Sequence, residues 1–226
     1  MRSFVKFFPL CALQLTFLIN GNATNLLSPA GIFNVPGLSL REAKTRTTLI
    51  QQFDFSCGSA ALATLLTYHY NVPVSEQVVF EEMFAQGDQQ AIRQSGFSLL
   101  DMKRFLASHG FVADGFELPL DKLQEAKLPA IVIINEKGYN HFVVVRGMRH
   151  NRILLGDPAT GTRAVLRSEF DTMWKNRLLF VIHNKPDLAA FNRPEDWLAT
   201  TVAPLTSAGS SPLRLIGIPK SGPGDF

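Results

Sequence analysis

The chain has 226 residues, 46% of them hydrophobic and 18% charged, which is enough for one well-cored domain with appendages and too apolar for wholesale disorder. Its formal net charge is +3, but two of the basic residues, Arg2 and Lys6, lie in an N-terminal stretch that reads as a removable targeting segment. Without them, 20 Lys and Arg oppose 19 Asp and Glu, too even a balance to suggest nucleic acid or another polyanion as partner.

That stretch, residues 1–23, has a basic start, an apolar run from Phe7 to Ile19 and then the small residues of Asn20-Gly-Asn-Ala23. It has the layout of a secretory signal peptide, so we expect export, most simply to the periplasm. The apolar run falls short of the roughly 20 residues of a membrane span and Pro9 interrupts it, so no stable transmembrane anchor is expected. Cys11 leaves with the segment, and Cys57 remains as the sole thiol in a compartment where thiols ordinarily pair. A lone cysteine there is inert, links two chains or acts as a nucleophile. With two cysteines at most and no clustered histidines, neither a zinc nor an iron–sulfur site is expected, and nothing implies a cofactor.

Residues 24–48, with scattered Pro and Gly, read as an extended lead-in with room for a short strand. The stretch Gln51-Gln-Phe-Asp-Phe-Ser-Cys57-Gly-Ser-Ala-Ala-Leu62 then puts a cysteine at the start of a helix that runs to Tyr70. That helix is apolar on nearly every face, as a central buried helix would be, and Asn71-Val-Pro73 ends it. Unpaired N–H groups and the helix dipole at its start favour a thiolate.

A second helix is predicted from an N-cap at Ser75 to Gln86, and residues 87–96 read as a loop or a frayed helix. Ser98-Leu-Leu-Asp101 fits a capping box opening a third helix that stops at Gly110. A short fourth helix spans Leu120 to Ala126. From Pro129 the periodicity changes to short β-branched or aromatic runs at 130–134, 142–145, 153–155, 164–166 and 178–182, with a small helix from Glu169 to Trp174 before the last. Helices first and strands second is the α+β pattern, here with an antiparallel sheet. The domain is expected over 49–185, and the Pro- and Gly-rich tail, 186–226, should wrap the surface or stay mobile.

Of the five histidines, His69 lies twelve residues into the first helix, roughly 18 Å along its axis from Cys57 and too far to serve it as a base. His109 at a helix C-terminus, His150 in a hairpin turn and His183 at a strand end have sufficient structural roles. His141 opens a hydrophobic strand at the sheet rim. If the following turn centres on Met148 to Asn151, His141 falls nearly opposite Asp157 or Pro158, where a carboxylate can orient an imidazole and stabilise its protonated form. Gln51 offers an amide for a developing oxyanion together with the backbone N–H of Cys57; Gln52 is a competing choice that spacing does not separate from it.

Gln51-(five residues)-Cys57-Gly-Ser-Ala-Ala-Leu62, Asn140-His-Phe-Val-Val-Val145 and Gly156-Asp-Pro-Ala-Thr-Gly161 together resemble the bacteriocin-processing cysteine peptidases, papain-like domains that cut after double-glycine leaders. The resemblance covers about 51–183. It implies a papain-like peptidase fold with Cys57 as nucleophile, His141 as general base and acid, Asp157 as its orienter and Gln51 as oxyanion donor. Because many members are transporter domains and this chain has a signal peptide and no P-loop, it is most similar to stand-alone exported members, such as those accompanying functional-amyloid export systems. The expected function is therefore an exported endopeptidase acting on a secreted or periplasmic polypeptide, with secretion or amyloid-export machinery as partner. An amidase or transglutaminase-like acyl transferase and a non-catalytic peptide-binding export chaperone are the competing readings.

Overall fold

The structure is a computed structural model that describes residues 23–28, 31–36, 39–53, 55–174 and 176–201. The expected signal peptide, apart from Ala23, and the tail beyond residue 201 lie outside the described residues. The chain divides into two compact units, 1–39 and 40–226. The first holds an antiparallel hairpin of β1 (Ala23–Ser28) and β2 (Gly31–Pro36). The lead-in thus contains two strands, paired from Ala23↔Pro36 to Ser28↔Gly31.

The second unit begins with α1 (Leu40–Thr45), followed by α2 (Cys57–His69), α3 (Glu76–Gln86), α4 (Gln89–Ser95) and α5 (Leu99–Ser108). Then come β3 (Ala113–Glu117), α6 (Asp121–Ala126), β4 (Ala130–Glu136), β5 (Tyr139–Arg149), β6 (Arg152–Asp157) and β7 (Gly161–Leu166). Helix α7 (Arg167–Met173), β8 (Leu178–Ile182) and α8 (Pro194–Thr201) complete it. Six strands form one antiparallel sheet in the order β3-β8-β4-β5-β6-β7, so the α+β class is as expected.

Local chemistry sets the helix starts. The Ser75 side chain accepts from the Val78 N–H, and Ser98 and Asp101 form the reciprocal capping box. Residues 87–96, read as a loop or frayed helix, contain α4: Asp88 Oδ1 accepts from the N–H groups of Gln90 and Ala91. Only Ile92 of α4 is buried, which is why no hydrophobic period announces the helix. Strand β3 was not anticipated either. Its Asp and Gly are poor strand formers, and pairing with β8 from Ala113↔Ile182 to Glu117↔Leu178 imposes the conformation.

The core has two layers, one on each side of the sheet. Helix α2 buries eleven of its residues, and Leu62, Leu65 and Leu66 share a cluster with Ile131, Val144, Phe180 and Ile182. The opposite face, carrying Val132, Ile134, Val143 and Val145, is covered by Leu123, Phe170 and Trp174. Past Pro186 the chain wraps the domain as far as residue 201: the Ala190 N–H donates to His69 O at 2.8 Å and the Asn192 N–H to Arg146 O at 2.8 Å.

Leu65 is fully buried where α2 crosses the sheet, so Leu65→Ala should cost about 3 kcal/mol in lost burial and residual cavity. Urea denaturation should show a lower midpoint with an unchanged slope.

Candidate active site

Helix α2 starts with Cys57, and Ser56 at its N-cap makes no side-chain bond to the helix. The hydroxyl is used elsewhere: Ser56 Oγ donates to Glu76 Oε1 at 2.5 Å and accepts from the Phe53 N–H at 3.1 Å. The Gln52 N–H donates to the same carboxylate at 3.2 Å. Buried Glu76 therefore staples the turn leading into the cysteine, and the first-turn N–H groups of α2 keep no intrahelical acceptor. Sequence reasoning missed Glu76, which looked like an ordinary first-turn residue of α3. Gly58 follows the cysteine because α5 presses close: a Cβ there would lie 2.9 Å from Met102 Cε and 3.0 Å from Phe97 Cβ.

His141 and Asp157 are brought together in the buried rim of the sheet, 5% and 1% exposed. His141 Nε2–H donates to Asp157 Oδ1 at 2.8 Å, and the Cys57 side chain is close enough to the ring to act on it by hydrogen bond and by charge. The route to this contact differs from the simple hairpin. The β5–β6 ladder runs Arg149↔Arg152, Met148↔Ile153 and Gly147↔Leu154, skips Arg146, and resumes as Val145↔Leu155 and Val144↔Gly156. His141 itself pairs with Ile134 of β4. Extending the ladder sets Asp157 across from Val143, so that it meets His141 on the diagonal rather than directly opposite.

Asp157 has two further partners. The Ala159 N–H donates to Oδ1 at 2.8 Å, and Arg163 Nε donates to Oδ2 at 2.9 Å while its Nη1 reaches Glu136 Oε1 at 2.9 Å. Arg163 was not singled out in the sequence, where a strand arginine carries no mark of its partner. Burial pushes the Asp157 carboxyl up, but His141, the Ala159 N–H and Arg163 outweigh it and hold the group at about 2. Burial likewise pushes the His141 ring down, yet Asp157 and Cys57 raise it to about 9. The site therefore holds a carboxylate and a protonated imidazole across neutral pH.

Gln51 is half-buried, and its N–H donates to Pro158 O at 2.9 Å, tying the approach to Cys57 to the residue after Asp157. Its Nε2 donates one of the two amide hydrogens to Phe53 O at 3.0 Å. Gln52 is exposed. A cleft of about 870 Å³ opens over Cys57 and His141 between the 93–100 segment, with Gly96 and Phe97, and the β5 start, with Tyr139 and Asn140. None of the other histidines lines it. His69 Nδ1 bonds Ala190 O at 2.6 Å, and burial, with Arg146 second, lowers its pKa to about 3. His109 bonds Phe105 O, His150 sits in the β5–β6 turn with φ 54°, and His183 bonds Asp114.

Residues 46–186 match the Peptidase C39 family. This chain belongs to that family. The "Probable functional amyloid protease FapD" of Pseudomonas aeruginosa is 40% identical over 144 residues, 64% of this chain and 63% of that relative. LagD of Lactococcus lactis subsp. lactis, a lactococcin-G-processing and transport ATP-binding protein, is 31% identical over 135 residues, 58% of this chain and 18% of that protein. The matched region thus spans less than two thirds of either relative. Among solved structures, the peptidase domain of Streptococcus ComA, a bi-functional ABC transporter involved in quorum sensing, aligns with a TM-score of 0.50 at 22% identity, over 60% of this chain and 98% of that domain. The papain-like C39 fold is shared. The family match stops at 186, before the segment that ends in α8.

The His141–Asp157 pair makes stability depend on pH at both ends. His141 titrates at about 9 against an ordinary 6.5, so its contribution is complete below pH 6.5 and is lost as pH rises through 9. Asp157 titrates at about 2 against 3.8, so its contribution is complete above pH 3.8 and is lost as pH falls through 2. The stability gap between the unmodified protein and His141→Gln should be widest between pH 3.8 and 6.5 and close toward either side. Denaturation curves across that range check it, and a gap that does not vary with pH would contradict the coupling.

Proposed function

We propose that this chain is an exported cysteine endopeptidase that hydrolyses a peptide bond in a secreted polypeptide. The observation that carries the reading is the His141 ring bonded to buried Asp157 and close to the Cys57 side chain, beneath an open cleft. In the proposed reaction the Cys57 sulfur, having given its proton to His141, attacks the substrate carbonyl carbon, and the carbonyl π electrons move onto oxygen. The Cys57 N–H at the helix start and the Gln51 amide stabilise that oxyanion. His141 then protonates the leaving amine, and as neutral imidazole it takes a proton from the water that attacks the thioester. Collapse of the second tetrahedral intermediate frees the acid and returns the proton to the Cys57–His141 pair. Asp157 orients the ring and stabilises its cation throughout.

Two observations support the wider context. The signal-peptide layout of residues 1–23 favours the periplasm. The name of the Pseudomonas relative points to a functional-amyloid export system, so the substrate we propose is an exported amyloid or fimbrial subunit or one of its assembly proteins.

Mass spectrometry of exported proteins should reveal new N-termini that depend on the enzyme and vanish with Cys57→Ala, a variant that keeps the melting behaviour of the parent. Cleavage undiminished in Cys57→Ala would remove the proposal. With a peptide spanning the cleavage site so identified, Gln51→Ala should lower kcat by about 100-fold with little change in KM, the mark of an interaction made in the transition state. An unchanged kcat would leave the oxyanion to backbone donors alone.

A further inference from the structure

Arg146 is fully buried although its strand is otherwise apolar at that depth. It is also the residue that the β5–β6 ladder skips, and this skip decides whether His141 and Asp157 share a face of the sheet. On the turn side of Arg146, Met148 pairs with Ile153; on the site side, Val145 pairs with Leu155, and all four side chains lie in one core cluster. Alternation then puts His141, Val143 and Asp157 on that same face. Were Arg146 paired like its neighbours, the turn-side register would continue, Val144 would oppose Asp157, and the carboxylate would point to the face away from His141.

The bulge is tied at two points to the segment that follows the family match. The Arg146 carbonyl accepts the Asn192 N–H at 2.8 Å. Its guanidinium Nη2 donates to Asp196 Oδ1 of α8 at 2.7 Å, both side chains being fully buried. Nη1 donates to Thr48 Oγ1 at 2.9 Å and Thr162 Oγ1 at 2.8 Å. To get there the side chain crosses Gly156, where a Cβ would lie 3.0 Å from Arg146 Cδ and 3.2 Å from Thr48 Oγ1. The residue just before Asp157 is thus a glycine because the arginine passes over it.

We propose that Asp196 is a positioning residue of the active site: by holding Arg146 in the bulge it fixes the register that brings Asp157 onto the face of His141. A buried guanidinium without its carboxylate is strongly unfavourable, so losing Asp196 drives Arg146 outward. The simplest way to accommodate this is to continue the turn-side pairing through the bulge. The segment that ends in α8 therefore belongs to the catalytic unit. This proposal rests on the peptidase reading for its consequence but not for its test.

The test uses the full chain and two readouts: the titration of the His141 ring by NMR and the rate of Cys57 alkylation by iodoacetamide. Asp196→Asn should bring the ring from about 9 down toward 6.5 and slow alkylation about tenfold, whereas Asp196→Glu, which keeps the charge, should retain both. Should Asp196→Asn fail to fold, the double variant Arg146→Met with Asp196→Leu buries no charge and carries the test, with the same fall in titration expected in a folded protein. A folded double variant whose His141 titrates as in the parent would overturn the proposal. If the parent's Cys57 proves inert while the ring titration still falls in the variants, the peptidase reading fails and the register proposal stands.

Discussion

The buried hydrogen bond between His141 and Asp157 is the contact on which the rest of this structure turns. Two ionised groups that are 5% and 1% exposed are costly to desolvate, and such a pair persists only where geometry and further partners compensate. Here the carboxylate also receives the Ala159 N–H and Arg163, and the imidazole has Cys57 on its other side. Each group favours the charged state of the other. A structural histidine such as His69 shows the contrast. It is more deeply buried and has only a carbonyl partner, and burial first, with Arg146 second, lowers its pKa to about 3.

That contact needs three separately folded pieces to converge. Helix α2 presents Cys57 because Glu76 staples the preceding turn and because Gly58 lets α5 approach. Strand β5 presents His141 at its solvent end. Strand β6 presents Asp157, and the bulge at Arg146 in β5 puts His141 on the same face. The approach to Cys57 is in turn joined to the β6 end by the bond from the Gln51 N–H to Pro158 O, so helix and sheet are held in register by backbone as well as by side chains. Rigid elements tied at their ends hold a reacting geometry more closely than loops do.

The second buried ionic cluster, Arg146 with Asp196 and Arg193, lies on the opposite side of β5 from the His141 pair. Replacing a buried ion pair by apolar groups often costs little stability, so stability alone does not explain it. Specifying one register out of two is the better physical reason, because a one-residue slip in a two-faced sheet exchanges every side chain between core and site.

Chain chemistry alone determined a good deal. The apolar period of α2, the caps at Ser75 and Ser98, and the β-branched runs after Pro129 are local signals, and they specify helices followed by an antiparallel sheet. Cys57, His141, Asp157 and Gln51 stood out as candidates because a lone thiol at a helix start, a histidine opening a strand and an aspartate closing the next one are signals within short windows, and folding brings the first three together. Helix α4 and strand β3 were not legible, since each owes its conformation to a cap or a neighbouring strand rather than to hydrophobic period. Glu76, Arg163 and Asp196 were hidden for a related reason: Ser56, Glu136 and Arg146 lie 20 or more residues from them in sequence, and Asp157, six residues before Arg163, lies across a strand turn that gives no sign of the pairing. Only the tertiary structure decided the bulge, because pairing numbers within a hairpin fix the register near the turn, whereas a skipped residue is dictated by what its side chain meets across the fold. The sequence thus pointed to the candidate groups, and long-range packing decided how they face one another.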